Sequence, residues 1–402
     1  MIFKPKALSM AMVAICSAGS VVAGGADVTL MPTEMMFEKG NYAEVSSARV
    51  RPNVKGSLVA PTGSMYPDYS ANTLALKMEV NDKLSIGFAD YLSAAILVDY
   101  RKAGASGFPA AVYSPAFVDL EIRSRLLAVK YQANDNVSIL GGLKLSKTSN
   151  ATANVLKNPK GNLSIPSATG SALALGLAYE KPEIALRVSA LYQSATKFDL
   201  PMTSDQAGFG TLANGKAGLP KSMTLRFQSG IAKDTLVFGS AHRGDWAKSQ
   251  VEFDTDNGVG AGATAPTGTL AARSSFTTTT AYTLGLGRKL SEKYAVSATY
   301  GWEKGSAVGT SLLSTTGGKK SLSLGGKYTT GPLALSVGYS RVRFGDYTCG
   351  PNCVMTAATR VGFGDCTCGP VCVMTAASPT FEDSNFVNNP ASVFGVKIGL
   401  SF

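Results

Sequence analysis

Apolar and polar residues alternate with a period of two along most of this chain, in short runs that come in pairs. One run, from Leu74 to Val80, is followed by another from Leu84 to Phe88, with Asn81-Asp82-Lys83 between them. Leu127, Val129 and Tyr131 meet Val137, Ile139 and Leu143 across Ala133-Asn134-Asp135-Asn136. Leu173, Leu175, Leu177 and Tyr179 meet Ile184, Leu186, Val188 and Tyr192 across Glu180-Lys181-Pro182-Glu183. Ala232-Lys233-Asp234, Leu290-Ser291-Glu292 and Thr329-Thr330-Gly331 are three further tight turns. A period of two sends successive side chains to opposite faces of a strand, and the intervening clusters are hairpin turns. Between the hairpins lie long stretches rich in Gly, Ser, Thr, Ala and Pro, near 59–70, 102–116, 149–170, 201–220, 254–276, 307–318 and 348–391. Six tight turns and seven long connections require fourteen strands.

Short connections alternating with long ones, and an even strand number, are the pattern of a transmembrane antiparallel β-barrel. The expected fold is all-β: a barrel of about 14 strands over residues 41–402. A closed barrel leaves no unpaired backbone edge in lipid. Beyond the first two dozen residues no apolar run is long enough for a membrane-spanning helix. Tyr294, Tyr300, Trp302, Tyr328 and Tyr339 share the register of the apolar positions, as aromatics at a membrane interface do. A soluble sandwich or solenoid would leave the loop asymmetry unexplained.

The two ends of the chain add a location. Lys4 and Lys6 precede an apolar stretch over 7–18, and Val21-Val22-Ala23 supplies small residues for cleavage before Gly24, so residues 1–23 read as a signal peptide. Ile15 before Cys16 is too large for a lipidation site. At the other end Phe394, Val396, Ile398, Leu400 and Phe402 alternate with Gly395, Lys397, Gly399 and Ser401. That strand resembles the terminal signal by which the barrel-assembly machinery receives bacterial outer-membrane barrels. It would be strand fourteen, closing on strand one near 42–54. The expected location is the bacterial outer membrane.

Charged residues make up only 16%, and 38 Lys+Arg against 27 Asp+Glu give +11. The excess fits lysines at loop rims facing outer-membrane lipid and lipopolysaccharide, or attraction of anionic ligands such as carboxylates. There is no clustered basic stripe of the kind nucleic acid requires.

Several segments carry a family resemblance. They are Ala178-Tyr179-Glu180-Lys181-Pro182-Glu183-Ile184-Ala185-Leu186-Arg187-Val188, Leu219-Pro220-Lys221-Ser222, the run Phe227-Gln228-Ser229-Gly230-Ile231-Ala232-Lys233-Asp234, and Asp245-Trp246. With Thr283-Leu284-Gly285-Leu286-Gly287-Arg288-Lys289 and Phe37-Glu38-Lys39-Gly40-Asn41-Tyr42-Ala43-Glu44, they resemble the FadL/TodX family in order and spacing. Members of that family carry long-chain fatty acids and other hydrophobic compounds across the outer membrane. The resemblance implies a hatch folded into the lumen, capture by extracellular loops three and four, a lumenal site, and lateral release at a kinked third strand.

Carried onto this sequence, the hatch would be 24–40, with Leu30, Met31, Met35, Met36 and Phe37 either contacting substrate or packing the plug. Methionine suits either role because its thioether adapts its shape. The Asn-Pro-Ala motif of the enterobacterial hatch is absent. Val155 and Leu156 in loop three, and Met202, Phe209 and Leu212 in loop four, are the few apolar side chains for a capture patch or for loop packing. Strand three, 84–100, carries Asp90 and then an apolar run over 94–98, either a phase change suited to a lateral gate or a simple inward-facing Asp90 on an unbroken strand. Glu121, Arg123 and Arg125 share one face of strand four. They would reach a carboxylate headgroup if a bulge turned them inward, or extend the strand above the membrane if not.

The segment from Phe344 to Ala358 recurs at 363–377 after 19 residues, within a tandem unit over 344–378. It supplies Cys349 and Cys353, then Cys366, Cys368 and Cys372, with Cys366 in place of Tyr347. In an oxidising compartment the simplest pairs are Cys349–Cys353 and Cys368–Cys372. Cys-x3-Cys lacks the usual zinc-finger spacing, so no metal and no cofactor is expected. The single histidine, His242, lies beside Arg243 and Asp245 with no serine motif, which argues against an enzyme. A general porin for small hydrophilic solutes is the alternative to a hydrophobic-compound channel. Because insertions in outer loops cost little, removing residues 344–362 is expected to leave a folded barrel, read as retained heat-modifiable migration on gels.

Overall fold

A computed structural model describes residues 26, 28–57, 63–102, 117–154, 162–204, 211–254, 270–309, 311, 313, 316–349 and 385–402. The signal peptide, Val155, Leu156, Phe209, Cys353, Cys366, Cys368 and Cys372 lie outside them.

Fourteen long strands make the wall. They are β1 (Tyr42–Pro52), β2 (Tyr69–Asn81), β3 (Leu84–Asp99), β4 (Phe117–Gln132), β5 (Val137–Thr148), β6 (Thr169–Lys181) and β7 (Leu186–Gln193). Then follow β8 (Ser222–Ala232), β9 (Thr235–Gly244), β10 (Thr279–Lys289), β11 (Tyr294–Lys304), β12 (Gly318–Thr330), β13 (Leu333–Phe344) and β14 (Pro390–Ser401). Each pairs antiparallel with the next, and β14 closes on β1 from Tyr42↔Ser401 to Pro52↔Ala391. The six tight turns fall where the alternation puts them. Gly331 takes φ +54 at the β12–β13 turn, a conformation open to glycine at little cost.

Burial is inverted relative to a soluble protein. On β6, Leu173, Leu175 and Leu177 are 62%, 65% and 58% exposed, while Ala172, Ala174 and Ala178 between them are buried. Leaving such leucines in water would cost about 1.5–3 kcal/mol each relative to burial. The same face on β2, β4, β10, β12 and β14 carries Leu76, Leu127, Leu284, Leu324 and Phe394. Paired aromatics edge this band: Tyr282 stacks on Trp302 at 5.2 Å near one end, and Tyr294 lies tilted against Tyr328 at 5.1 Å near the other. Lipid is the solvent that fits a surface of this kind. No described helix is long and apolar enough to cross a membrane, and the crossing is made by strands.

The long connections are less polar than their composition suggests. Phe117 to Asp119 of β4 pairs with Ala151–Asn154, and the sheet continues through Leu163–Ile165, Thr196–Ser204 and Thr211–Leu219. It ends in Glu252–Asp254 and Leu270–Arg273. Inside this extension Leu120, Ile165, Phe198, Leu200, Trp246 and Phe276 form one apolar core. Met202 belongs to that core and is fully buried, so it packs the loops rather than forming an exposed capture patch. Leu212 pairs with Met202 through the backbone.

The first copy of the cysteine repeat is also built into the fold. Tyr347–Cys349 joins Val308–Gly309 and Asn385–Phe386 in a small separate sheet. Tyr347 is buried, and its hydroxyl donates to the Ser311 carbonyl at 2.8 Å. Cys349 is buried and disulfide-bonded, with its partner outside the described residues. This sharpens the deletion argument. Removing 344–362 brings Cys366 to the place of Tyr347 and should cost about 3 kcal/mol of packing. Removing 363–381 keeps Tyr347, and its melting temperature should stay at the wild-type value by calorimetry in detergent.

Candidate functional site

Residues 28–41 run inside the wall, with a short 3-10 turn over Thr33–Phe37. Two sets of polar contacts hold them on opposite sides. On β2, Lys77 interrupts an otherwise apolar run and points inward, where only 2% of its surface is exposed. Its ammonium donates to the carbonyls of Glu38 (2.7 Å) and Gly40 (2.9 Å) and to Glu79 Oε1 (2.7 Å), which uses all three protons. Across the lumen Glu34 pairs with Arg187 of β7 and, at 3.5 Å, with Arg226 of β8. The Phe37 ring lies between the Arg187 guanidinium at 4.3 Å and the Lys130 ammonium at 5.1 Å. Cations over an aromatic face add to the clamp.

The five apolar residues expected in the hatch divide between two tasks. Met35 and Met36 are buried against the wall, where β3 provides Gly87. A Cβ at Gly87 would come within 2.4 Å of Met36 Sδ and 2.9 Å of Met35 Cε, so the missing side chain makes the seat. Leu30, Met31 and Phe37 instead line a cavity of about 660 Å³. Arg226, Lys327, Lys397, Thr299 and Ser321 also line it, so charged and hydroxyl groups share the space with apolar ones. Lys397 is engaged with Glu44 at 3.2 Å, and Tyr42 donates to the same carboxylate at 2.9 Å.

The wall itself is interrupted beside β3. Pairing of β2 with β3 ends at Thr73↔Tyr91, yet β1 follows β2 out to Tyr69 and β4 follows β3 out to Asp99. A bulge between Leu92 and Ala94 leaves Ser93 as the extra residue on β3. Ser93 Oγ donates to the Ile122 carbonyl (2.8 Å) and accepts from Ser124 Oγ (2.8 Å), which lies 2.7 Å from Ser146 Oγ. Past the bulge both faces of β3 are buried except at Leu97, which accounts for the apolar run over 94–98. Other backbone covers the edge that β2 leaves. Val28 N–H donates to Ser93 O (3.0 Å), Ala95 N–H to Ala26 O (3.0 Å), and Asp99 N–H to Met65 O (2.7 Å). Val28, Met65, Leu92, Ala95 and Val98 share one apolar cluster there.

Asp90 sits three residues before Ser93 and faces outward. Its carboxylate accepts from Arg123 Nε (2.5 Å) and Arg125 Nε (3.2 Å). Of the two readings of Arg123 and Arg125, the inward turn is not the one that forms. The bulge lies in β3, β4 keeps its phase, and both arginines share the outer face with Leu127 and Val129. They cannot meet a headgroup in the lumen. His242, on the lumenal face of β9, lies with Nδ1 2.8 Å from Thr224 Oγ1. Lys77, Gly87, Ser93, Arg187 and Arg226 were not singled out from sequence. A lysine inside an apolar alternation was the one signal that could have pointed to them.

A fourteen-stranded barrel of the outer-membrane kind, holding its N-terminal segment in the lumen beside a broken β2–β3 seam, is the class that these features define. Solved structures share the barrel fold. The chain is similar to a FadL homologue of Pseudomonas aeruginosa, at 12% identity over 92% of each chain with a TM-score of 0.64. It is similar to the toluene transporter TodX of P. putida, at 15% identity over 92% of each chain and a TM-score of 0.60. It is also similar to the toluene transporter TbuX of Ralstonia pickettii, at 14%, 96% of each chain and 0.58. No family model and no curated protein matches the sequence. The chain has the FadL/TodX-type fold, in agreement with the resemblance in its motifs.

Filling the seat of the plug should displace it. Gly87→Leu is expected to make proteoliposomes swell in small sugars, which the wild-type protein should not do, and Lys77→Met should have the same effect to a lesser degree. Loss of the Lys77 contacts removes about 1.5–3 kcal/mol of charge-assisted hydrogen bonding.

Proposed function

We propose that this protein is a passive channel for uptake of hydrophobic molecules across the bacterial outer membrane, and neither an enzyme nor a general porin. Long-chain fatty acids and related lipophilic compounds are the proposed substrates. The observation that carries the reading is the β2–β3 seam, where an apolar cluster replaces wall pairing between the barrel interior and the lipid.

The polarity of the interior supports a sideways exit. A lipophilic molecule moving straight down would have to pass Arg226, Lys327, Lys397 and the Glu34 clamp, all in the periplasmic half. Desolvating those groups without new partners is costly. The seam offers Val28, Leu92, Ala95 and Val98 instead. Among the described residues, one backbone bond each from Ala26, Val28 and Met65 covers the edge of β3. Withdrawal of residues 26–28 opens that edge, which makes the N-terminal segment the moving part. Leu30, Met31 and Phe37 then give substrate its first apolar contacts in the lumen. A carboxylate headgroup would meet Arg187 and Arg226 there, in competition with Glu34. The strand ending at Phe402 is proposed to be read by the barrel-assembly machinery.

A porin reading requires an open lumen, and the clamp on residues 28–41 counts against it. Deletion of Ser93 tests the sideways exit. Without the extra residue β3 can run in register with β2, and uptake of a fluorescent acyl chain into proteoliposomes is expected to fall to background in a barrel that remains heat-modifiable. Unchanged uptake in that variant would sink the lateral route, and sugar permeability of the wild-type protein would favour the porin.

A further inference from the structure

Cations on the outer surface of the barrel are distributed unevenly. On β13, Arg341 and Arg343 continue the lipid-facing row of Leu335, Val337 and Tyr339, while Val342 and Phe344 between them are buried. On β12, Lys320 continues the row of Leu322 and Leu324 and lies directly across from Arg343. On β1, Arg49 and Arg51 continue the row of Val45, with side chains 54% and 67% exposed. Ser392 of β14 sits between Arg341 and Arg51 in the register. These five cations therefore lie on β12, β13 and β1, with β14 and its Ser392 between the last two. With strands about 4.8 Å apart, Arg341 and Arg51 stand about 10 Å from each other.

Their height is set by the aromatics. Trp302 is the register partner of Lys320, and Tyr339 pairs with Phe394, which pairs with Arg49. Interfacial aromatics mark headgroup level, so the cations stand at and just beyond it on the side of the long loops. Two acids lie beside them: Asp68 is shared by Arg49 (3.2 Å) and Arg51 (3.5 Å), and Asp346 accepts from Asn388 N–H (3.0 Å). Arg343 donates to the neutral Asn388 Oδ1 at 2.6 Å. The wall three strands further on differs. Around β4, Asp90, Asp119 and Glu121 accompany Arg123 and Arg125 on the outer face, and Asp90 binds both arginines.

We infer that the face from β12 through β14 to β1 binds the phosphate groups of a phosphorylated glycolipid in the outer leaflet. Charge complementarity and continuity with the lipid-facing band select this occupant. Guanidinium forks match phosphate oxygens two at a time, and acyl chains below them would lie on Leu322, Val337 and Phe394. Lys320 supplies a point charge beside Arg343, as basic clusters next to a membrane do for acidic headgroups. The site lies on the barrel exterior; Lys320, Arg341 and Arg343 are on β12 and β13, and only its edge at Arg49 and Arg51 comes within one strand of the β2–β3 seam.

The test compares three ligands on the purified full-length barrel in neutral detergent: diphosphoryl lipid A, its dephosphorylated form, and inorganic phosphate. Native mass spectrometry reads the bound fraction. The wild-type protein should retain diphosphoryl lipid A in preference to the other two. In a Lys320→Gln, Arg341→Gln, Arg343→Gln variant, retention should fall about tenfold or more. A control variant with Lys221→Gln, Arg243→Gln and Lys248→Gln removes equal charge from another part of the rim and should retain the lipid within about twofold. Heat-modifiable migration confirms that each variant is folded. Equal losses in the two variants, or equal retention of the dephosphorylated lipid, would overturn the assignment.

Discussion

Every backbone group at membrane depth needs a partner, because lipid supplies none. That constraint shapes this molecule more than any side-chain contact. It makes β14 return to β1 along eleven register positions, and it explains why so much of the chain is committed to ladder pairing. It also gives the break between β2 and β3 its meaning. A strand edge left open in hydrocarbon would cost several kcal/mol per group. Here the edge is met by Ala26, Val28 and Met65. The segment in the lumen is thus part of the wall where it passes Ser93, and only secondarily a stopper.

The interior divides by the same logic. Once the lipid-facing positions are apolar, the alternate positions are free to be polar, small or charged. In the outer half they meet the loop sheet and form a dry core around Leu120, Phe198 and Trp246. In the other half they meet the cavity and carry Arg226, Lys327 and Lys397. The clamp on Glu34 and the carbonyls held by Lys77 sit in this polar half. Polar contacts therefore hold residues 33–40, whereas Ala26 and Val28 are held by two backbone bonds and apolar packing. The two ends of the segment are held by different forces, and only the second lies at the seam.

Sequence patterning made the barrel legible for a physical reason. Lipid exposure enforces a strict period of two, so Leu173, Leu175 and Leu177 announce both the strand and its outer face. The turns were equally plain, since the short connections use Asn, Asp, Gly and Pro. Legibility failed where the environment stops being two-sided. Thr196–Ser204 reads as polar loop because only Phe198, Leu200 and Met202 face its core, and Pro201 sits among them. At Arg123 and Arg125 the alternation left two readings open, inward past a bulge in β4 or outward along an unbroken strand. A phase change in β3 and one in β4 give similar patterns, and only the pairing with Asp90 distinguishes them. The lumenal clamp was least visible, because an inward Arg187 or Arg226 looks like any polar residue of a barrel.

The bulge at Ser93 ties these levels together. One inserted residue shifts the phase of β3, and from there the strand no longer presents one face to lipid and one to the lumen. Apolar residues become favourable on both sides, which is why Ala94, Ala95, Ile96 and Val98 follow one another without alternation. The hydroxyl chain through Ser124 and Ser146 satisfies the bulge from the side of β4, so the distortion is held without help from β2. β2 is then released from pairing beyond Thr73 while β1 still holds it as far as Tyr69. The opening therefore costs the barrel no closure elsewhere. A wall that must be continuous for stability can carry a defect for transport when the defect is confined to one seam and capped by backbone that is able to leave.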